Sequence, residues 1–134
     1  TSPEVVVNDW EDATMRLQKT IRYTDNSANS NDSEVKELNV GTIFQVTPRL
    51  EQGGRIISLD FKLEHTNLIE FDESNLPRIE TNEIASRISV PDGGTLLLGG
   101  QKITDNQDGQ KVQKVLLYLI KAAKLEPDKS PLNN

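Results

Sequence analysis

Strict two-residue alternation over long segments is the feature that most limits the folds open to this chain. From Ala13 to Thr24, the residues Ala13, Met15, Leu17, Ile21 and Tyr23 share one face of an extended backbone. Thr14, Arg16, Gln18, Thr20 and Arg22 share the other, and only Lys19 breaks the apolar row. Glu37–Leu50 repeats the pattern, with Leu38, Val40, Phe44, Val46 and Leu50 against Glu37, Asn39, Gln45, Thr47 and Arg49. Arg55–His65 repeats it again, with Ile57, Leu59, Phe61 and Leu63 against Ser58, Asp60, Lys62 and Glu64. The polar tract Asp25–Ser33 and the turn Glu51-Gln52-Gly53-Gly54 separate these rows, as hairpin connections do. Pro48 lacks an N–H, so it belongs at a sheet edge or near the end of its strand. Val5-Val6-Val7 predicts a further short strand. Asp9–Asp12 reads as an acidic turn around Trp10, whose indole is either a binding anchor or, more commonly at such a place, an apolar plug beside the turn.

The stretch Pro77–Gly100 predicts two more strands folded on one turn. Ile84, Ser86, Ile88 and Val90 alternate with Ala85, Arg87 and Ser89, and Pro91-Asp92-Gly93-Gly94 then supplies turn chemistry. Gly93 or Gly94 is expected at positive φ. Thr95–Leu98 resumes as a strand and runs into Gly99-Gly100, a pair that marks a bulge, a bend or a close backbone approach. Between these elements, Asn67–Leu76 is either a prolongation of the preceding strand or a loop over a core edge. Asp105–Gln110 is a second hairpin tip.

Several function classes are excluded or left without support. The chain has 134 residues, with 21 Asp plus Glu against 15 Lys plus Arg, and no basic stripe that would suit nucleic acid or anionic lipid. It has no cysteine, which removes disulfides, thiolate metal sites and cysteine nucleophiles. Its single histidine, His65, cannot build a two-histidine metal site, and a Ser-His pairing has no support around it. Read as a calcium loop, Thr104–Gly109 would start on a poor ligand and place Val115 where a bidentate Glu is required. The glycine pairs open no helix and so form no phosphate cradle. No enzyme chemistry and no cofactor are expected.

Lys111–Glu126 is ambiguous on pattern. Val112, Val115, Leu116, Leu119 and Ala123 fit helical spacing slightly better, yet Val115–Ile120 is also an apolar run of strand length bounded by lysines.

The words of three segments, in order, resemble the bacterial secretin family, the ring-forming channels of type II and type III secretion. L-N-V-G-T-I-F-Q-V-T-P-R-L is similar to that family's V-G-x-x-L-x-V-x-P element, and I-I-S-L-D-F to the strand that follows it. T-N-E-I-A-S-R-I-S-V-P-D-G-G-T-L-L-L-G-G resembles its V-x-D-G-x-T hairpin and Gly-Gly ending. The likeness covers roughly residues 2–104, and S-P-E-V-V-V-N-D-W-E-D-A-T-M-R-L resembles the segment that opens the family's C-terminal domain. It implies that K-V-L-L-Y-L-I-K is the terminal strand, which turns the reading of 112–124 from helix to strand.

The resemblance implies an all-β domain of six to eight mainly antiparallel strands with hairpin connections over residues 1–127, followed by a polar tail, 128–134. It implies a self-associating structural subunit of the cell envelope, an outer-membrane or periplasmic homo-oligomer joined through sheet edges, with secretion-system or pilus components as partners. Val40, Gly41, Pro48, Asp92, Gly93, Gly99 and Gly100 are the expected shape-determining positions, since turns and bends fix which edges can pair. Between Gly-Gly and the last strand, relatives carry a longer amphipathic segment that meets the membrane. Here polar residues Thr104–Lys114 fill that interval, so insertion into lipid by this chain alone is not expected. The competing readings are a monomeric β-domain that binds a partner protein or glycan through its loops, and a filament subunit.

Overall fold

A computed structural model describes residues 3–26 and 34–125. Its elements are all strands apart from one short turn of 3₁₀ form: β1 (Ala13–Asp25), β2 (Glu34–Glu51), β3 (Ile56–Phe71), β4 (Pro77–Pro91), β5 (Thr95–Gln107) and β6 (Gln110–Lys121). Strands β1-β2-β3-β4 form one sheet in that order, and β5-β6 form a second. The fold is all-β and antiparallel, with six strands among the described residues.

Each alternating row became a strand because a neighbour supplies its hydrogen-bond ladder. β1 and β2 pair antiparallel from Ala13↔Val46 to Asp25↔Glu34, so the apolar row of one lies beside the apolar row of the other. The cross-strand partners of β3 and β4 show the same sense. Ser58 meets Ser89 at 3.1 Å, Asp60 meets Arg87 at 3.1 Å, and Thr66 meets Thr81 at 3.1 Å. As the number rises on β3 it falls equally on β4, which is antiparallel register.

The chain divides into two compact units, residues 1–48 with 59–87, and residues 49–58 with 88–134. In the first, Val40, Val46, Leu59, Phe61 and Leu63 are buried, and the Phe44 and Phe61 rings tilt together at 6.2 Å. In the second, Ile57 and Val90 are buried beside the Ser58–Ser89 hydroxyl pair. These are the residues that the alternation placed inward, Ser58 excepted: its hydroxyl is accommodated because Ser89 bonds it.

The turns follow their residues. Gln52, Gly53 and Gly54 all have positive φ between β2 and β3. Asp108 (φ +50°) and Gly109 (φ +78°) form a two-residue primed turn between β5 and β6, within the expected tip Asp105–Gln110. Between β3 and β4, the Asp72 carboxylate accepts the Ser74 and Leu76 N–H groups at 2.9 Å each, and Asn75 donates to the Thr24 carbonyl at 2.7 Å.

Three expectations need correction. Val5-Val6-Val7 is not a strand: residues 3–12 form none, and Val6 is two-thirds exposed. β-branched residues favour extended backbone, but a strand exists only where a partner ladder is offered. Trp10 is not a plug. It occupies the Asn8–Glu11 turn at φ +67° with its side chain 66% exposed. The strand after Pro91-Asp92-Gly93-Gly94 does not end at Gly99-Gly100 but runs on through Gln107. Lys111–Lys121 is extended, as the family order required and local spacing did not. The loop centre 27–33 and the tail 128–134 lie outside the described residues.

Burial raises the Tyr118 hydroxyl above the ordinary tyrosine value of 10.0. A folded-state value above the unfolded one contributes stability that is complete below the unfolded value and is lost as pH climbs through the folded one. Thermal melts across that alkaline range should therefore show a decline that Tyr118→Phe reduces. An unchanged slope in the variant would contradict this.

Candidate functional site

The nominated positions fall into two groups, one in each unit. In the first unit, Val40 is 4% exposed and anchors the middle of β2 in the apolar layer. Next to it, Gly41 has φ +131°, and a Cβ there would lie 2.2 Å from the Leu17 carbonyl oxygen and 2.9 Å from the Gln18 Cα. No side chain fits between the two backbones, so β1 can approach β2 there only because residue 41 is glycine. Pro48 lies three residues before the end of β2, past the last β1 partner, Val46. Its carbonyl accepts the Trp10 N–H at 2.8 Å, and its missing donor interrupts no β1–β2 pair.

In the second unit, Asp92 and Gly93 belong to a junction of three chain segments. The Asp92 N–H donates to the Arg55 carbonyl at 2.9 Å, and its carboxylate accepts the Lys124 N–H at 2.7 Å. Gly93 (φ +80°) donates to the Ala122 carbonyl at 2.9 Å, while Ala122 donates back to Gly94 at 3.3 Å. The β2–β3 turn, the β4–β5 turn and the chain leaving β6 are thus tied together. Gly94 does not have positive φ, but a Cβ on it would strike the Pro91 carbonyl at 2.8 Å. Gly99 sits at a register shift between Leu97 and Gly99, the bulge that the glycine pair suggested. Gly100 faces Leu117 so closely that a Cβ would meet its Cδ2 at 2.7 Å.

Sequence reasoning missed Gly54 and Lys124. Gly54 is buried at φ +86°, and the Lys124 side chain crosses where its Cβ would be, at 3.0 Å. Nothing in the sequence links positions 54 and 124, because their meeting depends on two turns and a strand end converging. The single histidine, His65, has its Nδ1 2.9 Å from the Thr42 hydroxyl in a half-buried cross-strand pair.

The polar faces of β1–β4 carry matched cross-strand charges. Arg22 pairs with Glu37 at 3.2 Å, Lys62 with Glu83 at 3.6 Å, and Arg78 with Glu70. A groove of about 390 Å³ between Asp12, Gln45, Thr47, Asp60 and Lys62 opens on this polar surface. Among the described residues no three His, Asp or Glu groups converge as a metal site, and no helix is long and apolar enough to cross a membrane. The features that stand out are two long outer strands, β1 and β4, and turns that brace their ends.

The family described as Secretin, bacterial type II and III secretion system protein, matches residues 1–117. The chain belongs to the secretin family, whose members are proteins of bacterial type II and III secretion systems. Fimbrial assembly protein PilQ of Pseudomonas aeruginosa is 27% identical over 121 residues, which span 86% of this chain but 16% of PilQ. The InvG secretin-domain β-barrel of the Salmonella SPI-1 injectisome aligns at a TM-score of 0.60 with 18% identity, over 89% of this chain and 42% of InvG. The type II secretin GspD of enteropathogenic Escherichia coli aligns at 0.60 with 16% identity, over 90% of this chain and 38% of GspD. At these identities the two structures share this chain's fold.

Proposed function

We propose that this protein is a self-associating structural subunit of a bacterial cell-envelope assembly, of the ring- or channel-forming kind found in type II and type III secretion. The observation that carries the reading is the strand order β1-β2-β3-β4, with long strands of 13 and 15 residues at its two edges. Outer strands present rows of N–H and C=O groups with no ladder partner in their own sheet, and pairing with a second copy satisfies them. Four alternating strands leave β1 and β4 running in opposite directions. Joining β4 of one copy to β1 of the next therefore continues the antiparallel order without a break. Such a contact is head-to-tail, and it closes as a ring or grows as a filament according to the rotation per copy.

Residues 1–127 act as one module in this reading, and the nominated positions act through shape. Gly41 sets the β1–β2 approach, and the junction at Asp92 and Gly93 holds the β4–β5 turn against Arg55 and the chain leaving β6. Partners of the assembly are further copies of the chain and other secretion-system or pilus components, in the outer membrane or periplasm.

The absence of native cysteine makes cross-linking a clean test. Single cysteines along β1 (Arg16→Cys, Gln18→Cys, Thr20→Cys) are mixed under oxidation with single cysteines along β4 (Thr81→Cys, Glu83→Cys, Ala85→Cys). Head-to-tail pairing predicts disulfide dimers between a β1 variant and a β4 variant only. Dimers formed equally well between two β1 variants, or a chain that stays monomeric at high concentration in particle images, would overturn the reading. Monomers would favour the loop-binding alternative.

A further inference from the structure

Lys19 interrupts the apolar row of β1 at the centre of the strand. It pairs across the ladder with Val40, so it stands on the face that carries the buried core, yet it is exposed on an outer strand. The opposite outer strand holds a counterpart. Glu80 of β4 shares a face with Asn82, Ile84 and Ile88, the face on the core side, and it too is exposed. Among the described residues neither Lys19 nor Glu80 takes part in an ion pair, whereas Arg22, Lys36, Lys62, Arg78 and Arg87 all do. A lone charge in an apolar row keeps a sheet edge from indiscriminate pairing. Here the two edges carry lone charges of opposite sign.

These positions select one alignment when β4 of one copy meets β1 of the next. The apolar faces must coincide, so odd-numbered residues of β1 lie opposite even-numbered residues of β4. With Lys19 opposite Glu80, Leu17 lies opposite Asn82 and Met15 opposite Ile84. On the polar face Gln18 then meets Thr81, and Arg16 meets Glu83, whose partner in its own chain, Lys62, is 3.6 Å away. Both faces gain a pair of opposite charges, and no other alignment achieves this. Two residues along in one direction, Lys19 meets Arg78. Two in the other, it meets Asn82 while Arg16 meets Ala85, and two further bring Arg16 against Arg87. The same charges oppose two-fold pairing of like edges. Two β1 strands in full antiparallel overlap set Lys19 against Lys19 and Arg16 against Arg22.

We infer that Arg16 and Lys19 on β1, with Glu80 and Glu83 on β4, are the specificity-determining residues of the contact between copies, held with Lys19 opposite Glu80 of the next copy. The inference rests on the head-to-tail reading above and adds to it the alignment and the charges that choose it. Exposed ion pairs contribute little each, but like charges directly opposite are destabilising. Their effect is therefore on which edge and which alignment succeed.

The test uses the 134-residue chain. Gln18→Cys is mixed under oxidation with Ile79→Cys, Thr81→Cys, Glu83→Cys or Ala85→Cys, which read the alignment two residues at a time. Directly opposite Cβ atoms lie about 4.5–5.5 Å apart and diagonal ones about 7–8 Å, so Thr81→Cys should give the fastest disulfide. Charge reversal supplies an independent readout by sedimentation at low salt. Lys19→Glu and Glu80→Lys should each weaken self-association roughly tenfold. An equal mixture of the two should restore it, and so should the double variant Lys19→Glu/Glu80→Lys. Both side chains are exposed, so circular dichroism should match the parent chain, and concentrated salt should shrink the losses. A fastest disulfide to Ile79→Cys, Glu83→Cys or Ala85→Cys would overturn the alignment and leave the head-to-tail contact standing. Reversal variants that associate as the parent does, or that the mixture fails to restore, would overturn the selection by charge. No disulfide with any of the four, or a parent chain that stays monomeric, would overturn both this inference and the reading beneath it.

Discussion

Gly41→Val should destabilise the folded chain by roughly 3–5 kcal/mol, combining backbone strain with overpacking between two strands. The glycine has φ +131°, and its substituent would point at the Leu17 carbonyl from 2.2 Å. Neither problem is relieved by a rotamer, because the obstructing atoms are backbone. Urea unfolding monitored by circular dichroism measures the loss, and a companion variant separates its two sources. Gly53→Ala also places a side chain at positive φ (+68°) but meets nothing within 4 Å. It should cost only about 1 kcal/mol. Equal losses in the two variants would show that the close β1–β2 approach at Leu17 is not a constraint.

Phe61→Ala should cost about 3–5 kcal/mol, the usual range for emptying a buried aromatic site. Phe61 is 3% exposed among Val40, Val46, Leu59 and Leu63, the buried side chains of the first unit, and leans on Phe44. Phe71, on the same face of β3 near its far end, is 38% exposed. Its replacement by alanine removes contact with Tyr23, 6.1 Å away, but leaves no enclosed void. The two variants bracket the transfer and cavity contributions, and Phe61→Ala should lower the urea midpoint several times further. Similar midpoints would contradict the placement of the core.

The rows of β1, β2 and β3 were legible because alternation is a local property that a half-buried sheet enforces at every residue. The turn at Gly93 and the tip at Asp108-Gly109 were legible for the same reason: their conformations restrict which residues can occupy them. β6 was not legible from its own spacing. Leu116, Leu119 and Ala123 suit a helix, and what holds the segment extended is its ladder with β5, from Leu119↔Leu97 to Gln110↔Gln107. That pairing also explains the underestimated length of β5. Gln101 and Lys102 carry no strand signal, yet they are extended because Leu116 and Val115 lie opposite. Val5–Val7 failed in the reverse sense, having propensity without a partner. The glycine that matters most to packing, Gly41, was nominated from a resemblance; its reason, a carbonyl on another strand, lies outside any local pattern. The junction of Arg55, Asp92, Gly93 and Ala122 was similarly invisible, as it is built largely from backbone groups that every sequence has.

The charge rows between β3 and β4 act as a vernier on strand alignment. A slip of one residue would turn every apolar side chain outward, and burial alone forbids it. A slip of two keeps all faces correct, so the apolar layer cannot detect it. In one direction that slip sets Lys62 opposite Arg87, two positive charges abreast. In the other it leaves Asp60 facing Ala85 and parts it from Arg87, its partner at 3.1 Å. Exposed pairs of this kind add little to stability, but they distinguish two alignments that the hydrophobic effect treats as equal. Charge reversal at Arg87 should therefore show itself less in the melting temperature than in heterogeneity of the folded product.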